Sequence, residues 1–228
     1  MRPLLLIILL TGVSRSQAQF AYISDKDGNA NIRKSPTTGN NLLTTLPNGH
    51  LVYLLETKGN WTNILFTKNG SQQTGYIFND RVKIIAGYHN IPIIEDDAHN
   101  VLCQKDSVKV LVSTQPFNKE KYKLTYSKDN PDLLESINGK HGWGVDGYLP
   151  TAEYKSIQIQ IGKRKTSLPP VALSNLFEPS LSNTRVQYDH RKDILYIESV
   201  NSEGVGNYMM MLKVERGVFS EKLTTYGE

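Results

Sequence analysis

From residue 19 onward the chain alternates short apolar runs with clusters of Gly, Asn, Asp and Pro. Runs at 20–24, 42–46, 51–56, 61–66 and 76–78 are separated by Asp27-Gly28, Pro47-Asn48-Gly49, Lys58-Gly59-Asn60 and Asn69-Gly70. Five short β-type segments at this spacing predict a small barrel or meander. No stretch of residues 19–86 carries a 3.6-residue apolar period over three turns, so this part is expected to be all-β. Asn48-Gly49 and Asn69-Gly70 tolerate positive φ and predict tight hairpins that pair consecutive strands. So small a segment buries little surface, and Tyr22, Tyr53, Trp61, Phe66, Tyr76 and Phe78 are the side chains available to fill it.

Residues 93–228 also read mainly as strands, at 107–113, 122–126, 154–161, 184–188, 194–199, 208–215 and 218–223. In Ile157-Gln158-Ile159-Gln160-Ile161 the strict alternation turns the isoleucines to a core and the glutamines to water. The last four strands are joined by 189–193, 201–207 and Arg216-Gly217, which predicts an antiparallel meander. Short helical turns are expected at 131–137, entered by Asn130 and closed by Asn138-Gly139, and at 170–176. The whole is an all-β chain: a small N-terminal barrel, then a mainly antiparallel β-sandwich or single curved sheet with minor helical turns. Gly87 and Pro92 mark 87–92 as the linker, too short to tether loosely, so the domains 19–86 and 93–228 are expected to touch.

Specific residues in the first segment add to this. Asn31-Ile32-Arg33 is followed by Pro36, then Leu46 with Gly49 before an apolar strand, then Gly59-Asn60-Trp61, then Gly75-Tyr76-Ile77. In this order the elements resemble the bacterial SH3 domains, with Tyr76 where that family usually has Trp and a longer hairpin at 67–74. The resemblance implies an SH3-like barrel used as a binding module, commonly fused to cell-wall enzymes or other envelope proteins, with a peptidoglycan peptide or an envelope protein as partner. In a shallow peptide groove Tyr53, Trp61, Tyr76 and Phe78 would supply ring faces, while Arg33 or Asp80 fixes a terminus. The core competes for Trp61 and Tyr76, because so small a barrel needs its large aromatics for stability. Asp25-Lys26-Asp27-Gly28 lacks the acidic twelfth position of a calcium loop and reads as a turn.

The ends and the charge set the compartment. Arg2, the apolar run 4–10 and Ser16-Gln17-Ala18 form a secretory signal peptide, residues 1–18, and no cysteine follows to carry a lipid anchor. A periplasmic or secreted protein without a membrane span is expected. Lys and Arg number 26 against 22 Asp and Glu, and losing Arg2 and Arg15 with the leader lowers the formal charge from +4 to +2. Residues 19–86 carry +3 and the remainder −1, neither the concentrated basic face of a nucleic-acid binder. Nothing in the pattern points to an oligomeric state.

The chemistry-bearing residues do not assemble a catalytic motif. The single cysteine, Cys103, follows Val101-Leu102 and reads as a buried small hydrophobe. There is no Gly-x-Ser-x-Gly elbow, no His-Glu-x-x-His and no compact zinc set, so neither enzyme activity nor a cofactor is expected. The loop at 139–150 gathers glycines with His141, Trp143, Asp146 and Tyr148, and reads either as a binding loop or as a connection whose Trp143 and Tyr148 plug a sheet end. An inhibitor or immunity protein that blocks a wall-degrading enzyme or toxin with this loop is therefore the alternative to an envelope-binding protein.

Overall fold

A computed structural model describes residues 19–227; the leader read at 1–18 lies outside the described residues. The first sheet contains β1 (Gln19–Ile23), β2 (Asn29–Arg33), β3 (Leu42–Pro47), β4 (Leu51–Lys58), β5 (Trp61–Lys68), β6 (Ser71–Phe78) and β7 (Val82–Ile84). Their order across the sheet is β3-β2-β6-β5-β4-β1-β7, all antiparallel. This sheet curls into a half-barrel around Ala21, Ile23, Ala30, Ile32, Leu46, Val52, Leu54, Ile64, Phe66 and Ile77.

The two Asn-Gly turns part company. Asn69 and Gly70 both take positive φ, 52° and 77°, and close the β5–β6 hairpin as expected. Asn48-Gly49 closes no hairpin, because β3 pairs with β2 while β4 pairs with β5 and β1. Its place is fixed instead by side-chain bonds: the Asp25 N–H donates to Asn48 Oδ1 at 2.7 Å, and Asn48 Nδ2 donates back to the Asp25 carbonyl at 2.7 Å. The turn thus carries the chain from one edge of the sheet to its middle, an outcome that a dipeptide preference cannot specify.

Residues beyond 88 form β8 (His89–Ile91), β9 (Ile93–Asp96), β10 (Asn100–Lys105), β11 (Val108–Pro116), β12 (Leu124–Tyr126), β13 (Leu134–Ile137), β14 (Ala152–Ile161), β15 (Arg164–Ser167), β16 (Thr184–Asp189), β17 (Ile194–Asn201), β18 (Tyr208–Glu215) and β19 (Val218–Tyr226). Two five-stranded sheets result, β15-β14-β11-β10-β9 and β19-β18-β17-β16-β8, the second containing the expected meander. They face each other across one core, where Val101, Cys103, Val110, Val112, Ile157 and Ile159 meet Val186, Leu195, Ile197, Tyr208, Met210 and Leu212. The second part is a β-sandwich. Within the segment 87–92, β8 pairs with β16 as an edge strand of the meander sheet.

Two short helices were expected. α1 (Pro170–Leu173) forms, with proline at its first position. At 131–137 there is one turn, in which the Leu133 N–H donates to the Asn130 carbonyl, and then β13 pairs with β12. The helix fails because Leu134 and Ile137 are buried in a small side core with Val145 and Phe177, which strand pairing builds and an isolated helical turn does not.

The meander sheet is buried on both faces. Leu195, Ile197, Tyr208, Met210 and Leu212 point into the sandwich, while Tyr196 and Met211 alternate with them and pack with Leu223 against Phe20, Tyr22, Leu51 and Tyr53 of the half-barrel. β1 and β4 are covered twice in the same way, with Ala21, Ile23, Val52 and Leu54 on the half-barrel core and their alternating neighbours on the meander. Three layers therefore stack. At the edge of the seam Lys213, 4% exposed, donates to the Gly49 carbonyl at 2.7 Å, pairs with Glu215 at 2.6 Å and lies 3.7 Å from Glu221. Glu221 accepts the Leu51 N–H at 3.0 Å and contacts His50 Nδ1 at 3.2 Å, while burial raises its carboxyl above the ordinary range.

The loop 139–150 is tied to the sandwich by backbone contact. The Phe177 N–H donates to the Trp143 carbonyl at 2.9 Å, and the Trp143 N–H to the Asn175 carbonyl at 3.1 Å. Gly144 takes φ +92°, and a Cβ there would stand 2.4 Å from the Phe177 carbonyl oxygen.

Two outcomes test this packing in urea unfolding. Lys213→Ala leaves the Gly49 carbonyl without its donor and the Glu215 and Glu221 carboxylates without their shared cation, and is expected to cost about 3 kcal/mol; a loss below about 1 kcal/mol would show that this cluster does not hold the layers. Gly144→Ala is expected to cost roughly 2–4 kcal/mol through strain and overlap, whereas Gly204→Ala, at φ +61° with open space around it, costs about 1 kcal/mol.

Candidate functional site

The β5–β6 register sets Trp61 opposite Phe78 and Asn63 opposite Tyr76. Because side chains alternate, Trp61, Tyr76 and Phe78 share the outer face while Thr62, Ile64, Phe66 and Ile77 are turned inward and buried. β2 brings Arg33 beside Tyr76, and β4 brings Lys58 beside Trp61. The approach of β2 depends on Gly75, where a Cβ would lie 2.6 Å from Ile32 Cγ2 and 3.0 Å from the Arg33 carbonyl oxygen.

These side chains form a half-buried patch of three rings and two cations. Trp61 and Phe78 meet edge to face with centroids 5.0 Å apart. The Arg33 guanidinium lies 5.9 Å from the Trp61 ring centre, and its Nη1 donates to the Gly39 carbonyl at 2.8 Å and to Asn41 Oδ1 at 2.9 Å. Arg33 is thereby held in place by the 34–41 loop. Lys58 Nζ lies 5.7 Å from the Tyr76 ring centre and 2.8 Å from Glu56 Oε1. The Lys58 hydrogen bond keeps the exposed Glu56 carboxyl below the ordinary range, and Glu56 in turn raises Lys58. Flat faces fixed by a sheet, with a forked cation and a point charge at the margins, can grip an extended peptide without reorganising.

Four of the nine residues proposed from sequence, Arg33, Trp61, Tyr76 and Phe78, are brought together here. Tyr53 lies on the same face of the sheet but is 2% exposed, covered by the meander sheet, with its hydroxyl 3.9 Å from the Met209 sulfur. It is a seam residue. Asp80 stands exposed on the turn after Phe78, 3.7 Å from Arg81 Nε. His141, Trp143 and Tyr148 belong to the sandwich. The exposed His141 accepts at its carbonyl from Asn175 Nδ2, and the Trp143 ring packs 4.8 Å from that of Tyr226 and 6.1 Å from that of Tyr208. Tyr148 is 69% exposed and lines an open cleft of about 510 Å³ with Asp146, Glu178 and Glu203.

Sequence reasoning passed over Lys58 and Glu56. Their signal was present: Lys58 sits across the Gly59-Asn60 turn from Trp61, so a hairpin there places the two side by side. Cys103 is fully buried in the sandwich core, where burial pushes its thiol up to about 11, away from the range of a reactive thiolate.

Comparison with known proteins assigns part of the chain. The family described as bacterial SH3 domain matches residues 28–83, a span running from the turn before β2 through the middle of β7. No curated protein and no solved structure matches the chain. The half-barrel that displays Arg33, Trp61, Tyr76 and Phe78 on its outer face is thus a bacterial SH3 domain at residues 28–83, of a kind commonly used as a cell-wall binding module, and the rest of the chain carries no family assignment.

Proposed function

We propose that this chain is an exported, non-catalytic binding protein of the bacterial envelope, whose SH3 domain recognises cell-wall peptide through the Arg33–Trp61–Tyr76–Phe78 patch. The observation that carries the reading is the half-exposure of three rings side by side on a sheet face whose other aromatic residues, Phe20, Tyr22 and Tyr53, are covered by the sandwich. In a protein with buried alternatives for its aromatics, rings held at a water-facing margin beside Arg33 and Lys58 are placed to contact another chain. The family match supports a wall ligand, the leader at 1–18 supports export, and the inert burial of Cys103 supports binding without catalysis.

A second reading has its own observation. Tyr148, Leu149 and Val205 are 69%, 42% and 90% exposed on the loops 139–150 and 201–207, the kind of apolar tip with which an inhibitor or immunity protein enters a partner's cleft.

Sedimentation with purified peptidoglycan separates the two. Trp61→Ala, shown by circular dichroism to remain folded, is expected to weaken wall binding at least about tenfold, while Tyr148→Ser leaves it unchanged. Unchanged binding by Trp61→Ala and by Tyr76→Ala would remove the patch from the site.

A further inference from the structure

The seam between the half-barrel and the meander sheet opens into a cleft of about 370 Å³. Lys83 from β7 and Tyr88 from the crossing chain line one side, and Tyr188, His190, Arg191 and Lys192 from β16 and the turn after it line the other. Tyr22 and Tyr88 line the cleft, with the buried Tyr196 behind them. The rings of Tyr22, Tyr88 and Tyr196 lie nearly parallel, with Tyr88 5.8 Å from Tyr196 at 12° and 6.3 Å from Tyr22 at 19°. The Tyr22 and Tyr88 hydroxyls are 2.5 Å apart, and burial together with that bond keeps the Tyr88 phenol protonated well above its ordinary range.

The charge in the cleft is not balanced. Among the described residues Lys83, Arg191 and Lys192 have no carboxylate within ion-pair distance, although Lys192 Nζ lies 5.2 Å from the Tyr22 ring centre. The one carboxylate in the lining, Asp189, is 6% exposed, and its Oδ1 accepts the backbone N–H groups of Arg191 and Lys192 at 3.0 and 3.3 Å. It therefore shapes the turn that presents the cations. Tyr188 is held by donating to Asp193 at 2.9 Å, and His89 sits beside His190 with ring centres 5.4 Å apart. A second open cleft shares Arg191 and Lys192 but is closer to balance, since Arg164 and Arg216 stand there with Glu215 and with Asp193, which pairs with Arg164 at 2.8 Å. Cations that the fold leaves unpaired, gathered beside an aromatic ring in a concave site, match an anion attached to a ring that has an apolar C–H face, as a sugar does.

We infer that this seam cleft is a second binding site, separate from the barrel patch, for an anionic carbohydrate: a sugar ring lying against the exposed part of Tyr88, its phosphate or carboxylate held by Lys83, Arg191 and Lys192. Phosphate and carboxylate share this chemistry, since both take charge-assisted bonds from a guanidinium and an ammonium. Because the walls come from two layers, an occupant bridges the seam and stabilises the assembled chain.

Calorimetric titration of the full mature chain with glucose 6-phosphate, glucuronate, glucose and inorganic phosphate tests this. At least one anionic sugar is expected to bind at least about tenfold more tightly than glucose and than inorganic phosphate, raising the melting temperature as it does, and which sugar does so identifies the anion. The triple variant Lys83→Gln, Arg191→Gln, Lys192→Gln, confined to exposed side chains, should lose that binding at least about tenfold, and Trp61→Ala should keep it. Arg191→Gln alone serves if the triple variant does not fold. Absence of binding by both anionic sugars at millimolar concentration, equal binding of inorganic phosphate, or indifference to the cation variants would each overturn the site. Loss of wall binding in Trp61→Ala with sugar binding intact would leave both sites standing as separate.

Discussion

The constraint on which the molecule rests is that one sheet, the meander β16–β19, is apolar on both faces and must be covered twice. One face closes the sandwich through Leu195, Ile197, Met210 and Leu212. The other, through Tyr196, Met211 and Leu223, finds its cover in β1 and β4 of the half-barrel, which are themselves buried on both sides. Removing the SH3 domain would open a broad apolar face to water, and removing the sandwich would uncover Phe20, Tyr22, Leu51 and Tyr53. The parts are structurally interdependent, and the Lys213–Glu221 cluster sits at the margin where polar groups can still be satisfied.

That coverage also decides what is left for recognition. The outer face of the SH3 sheet is one continuous surface, and the sandwich takes the part bearing Tyr53 and Leu65. The remaining part bears Arg33, Trp61, Tyr76 and Phe78, held half-exposed by their own contacts. The seam itself makes a second concavity, because two curved sheets meeting face to face diverge at their edges, and there β7 carries Lys83 while the turn after β16 carries Arg191 and Lys192. The barrel patch is a property of one domain. The seam cleft exists only in the assembled chain.

The loops of the sandwich resolve a different ambiguity. The glycines of 139–150 offered either freedom or close packing, and at Gly142 and Gly144 it is packing: a Cβ at Gly142 would meet the Phe177 ring at 2.9 Å, and one at Gly144 its carbonyl. Trp143 is consequently a plug against Tyr208 and Tyr226. Tyr148, past the packed stretch, extends into solvent and is not part of the plug that was expected of it together with Trp143.

Most of the strands, the all-β class, the meander and the SH3 identity of residues 28–83 were legible in the chain, because alternation, Asn-Gly turns and the Asn31-Ile32-Arg33, Gly59-Asn60-Trp61 and Gly75-Tyr76-Ile77 motifs are local signals. Arg33, Trp61 and Tyr76 were marked by the same family pattern, while Phe78 was legible only as one more aromatic residue in a β-type run. Local signals could not place Tyr53 in a seam, since Tyr22, Tyr53, Trp61 and Tyr76 are all aromatic residues in β-type runs and differ only in what another layer covers. Nor could they show that Asn48-Gly49 joins unpaired strands or that Leu134–Ile137 pairs with Leu124–Tyr126, because both depend on partners far along the chain. Sequence alone determined which residues can face a core; which core, and which rings remain at the surface, was decided by the burial of long-range neighbours, a quantity that exists only once the layers are stacked.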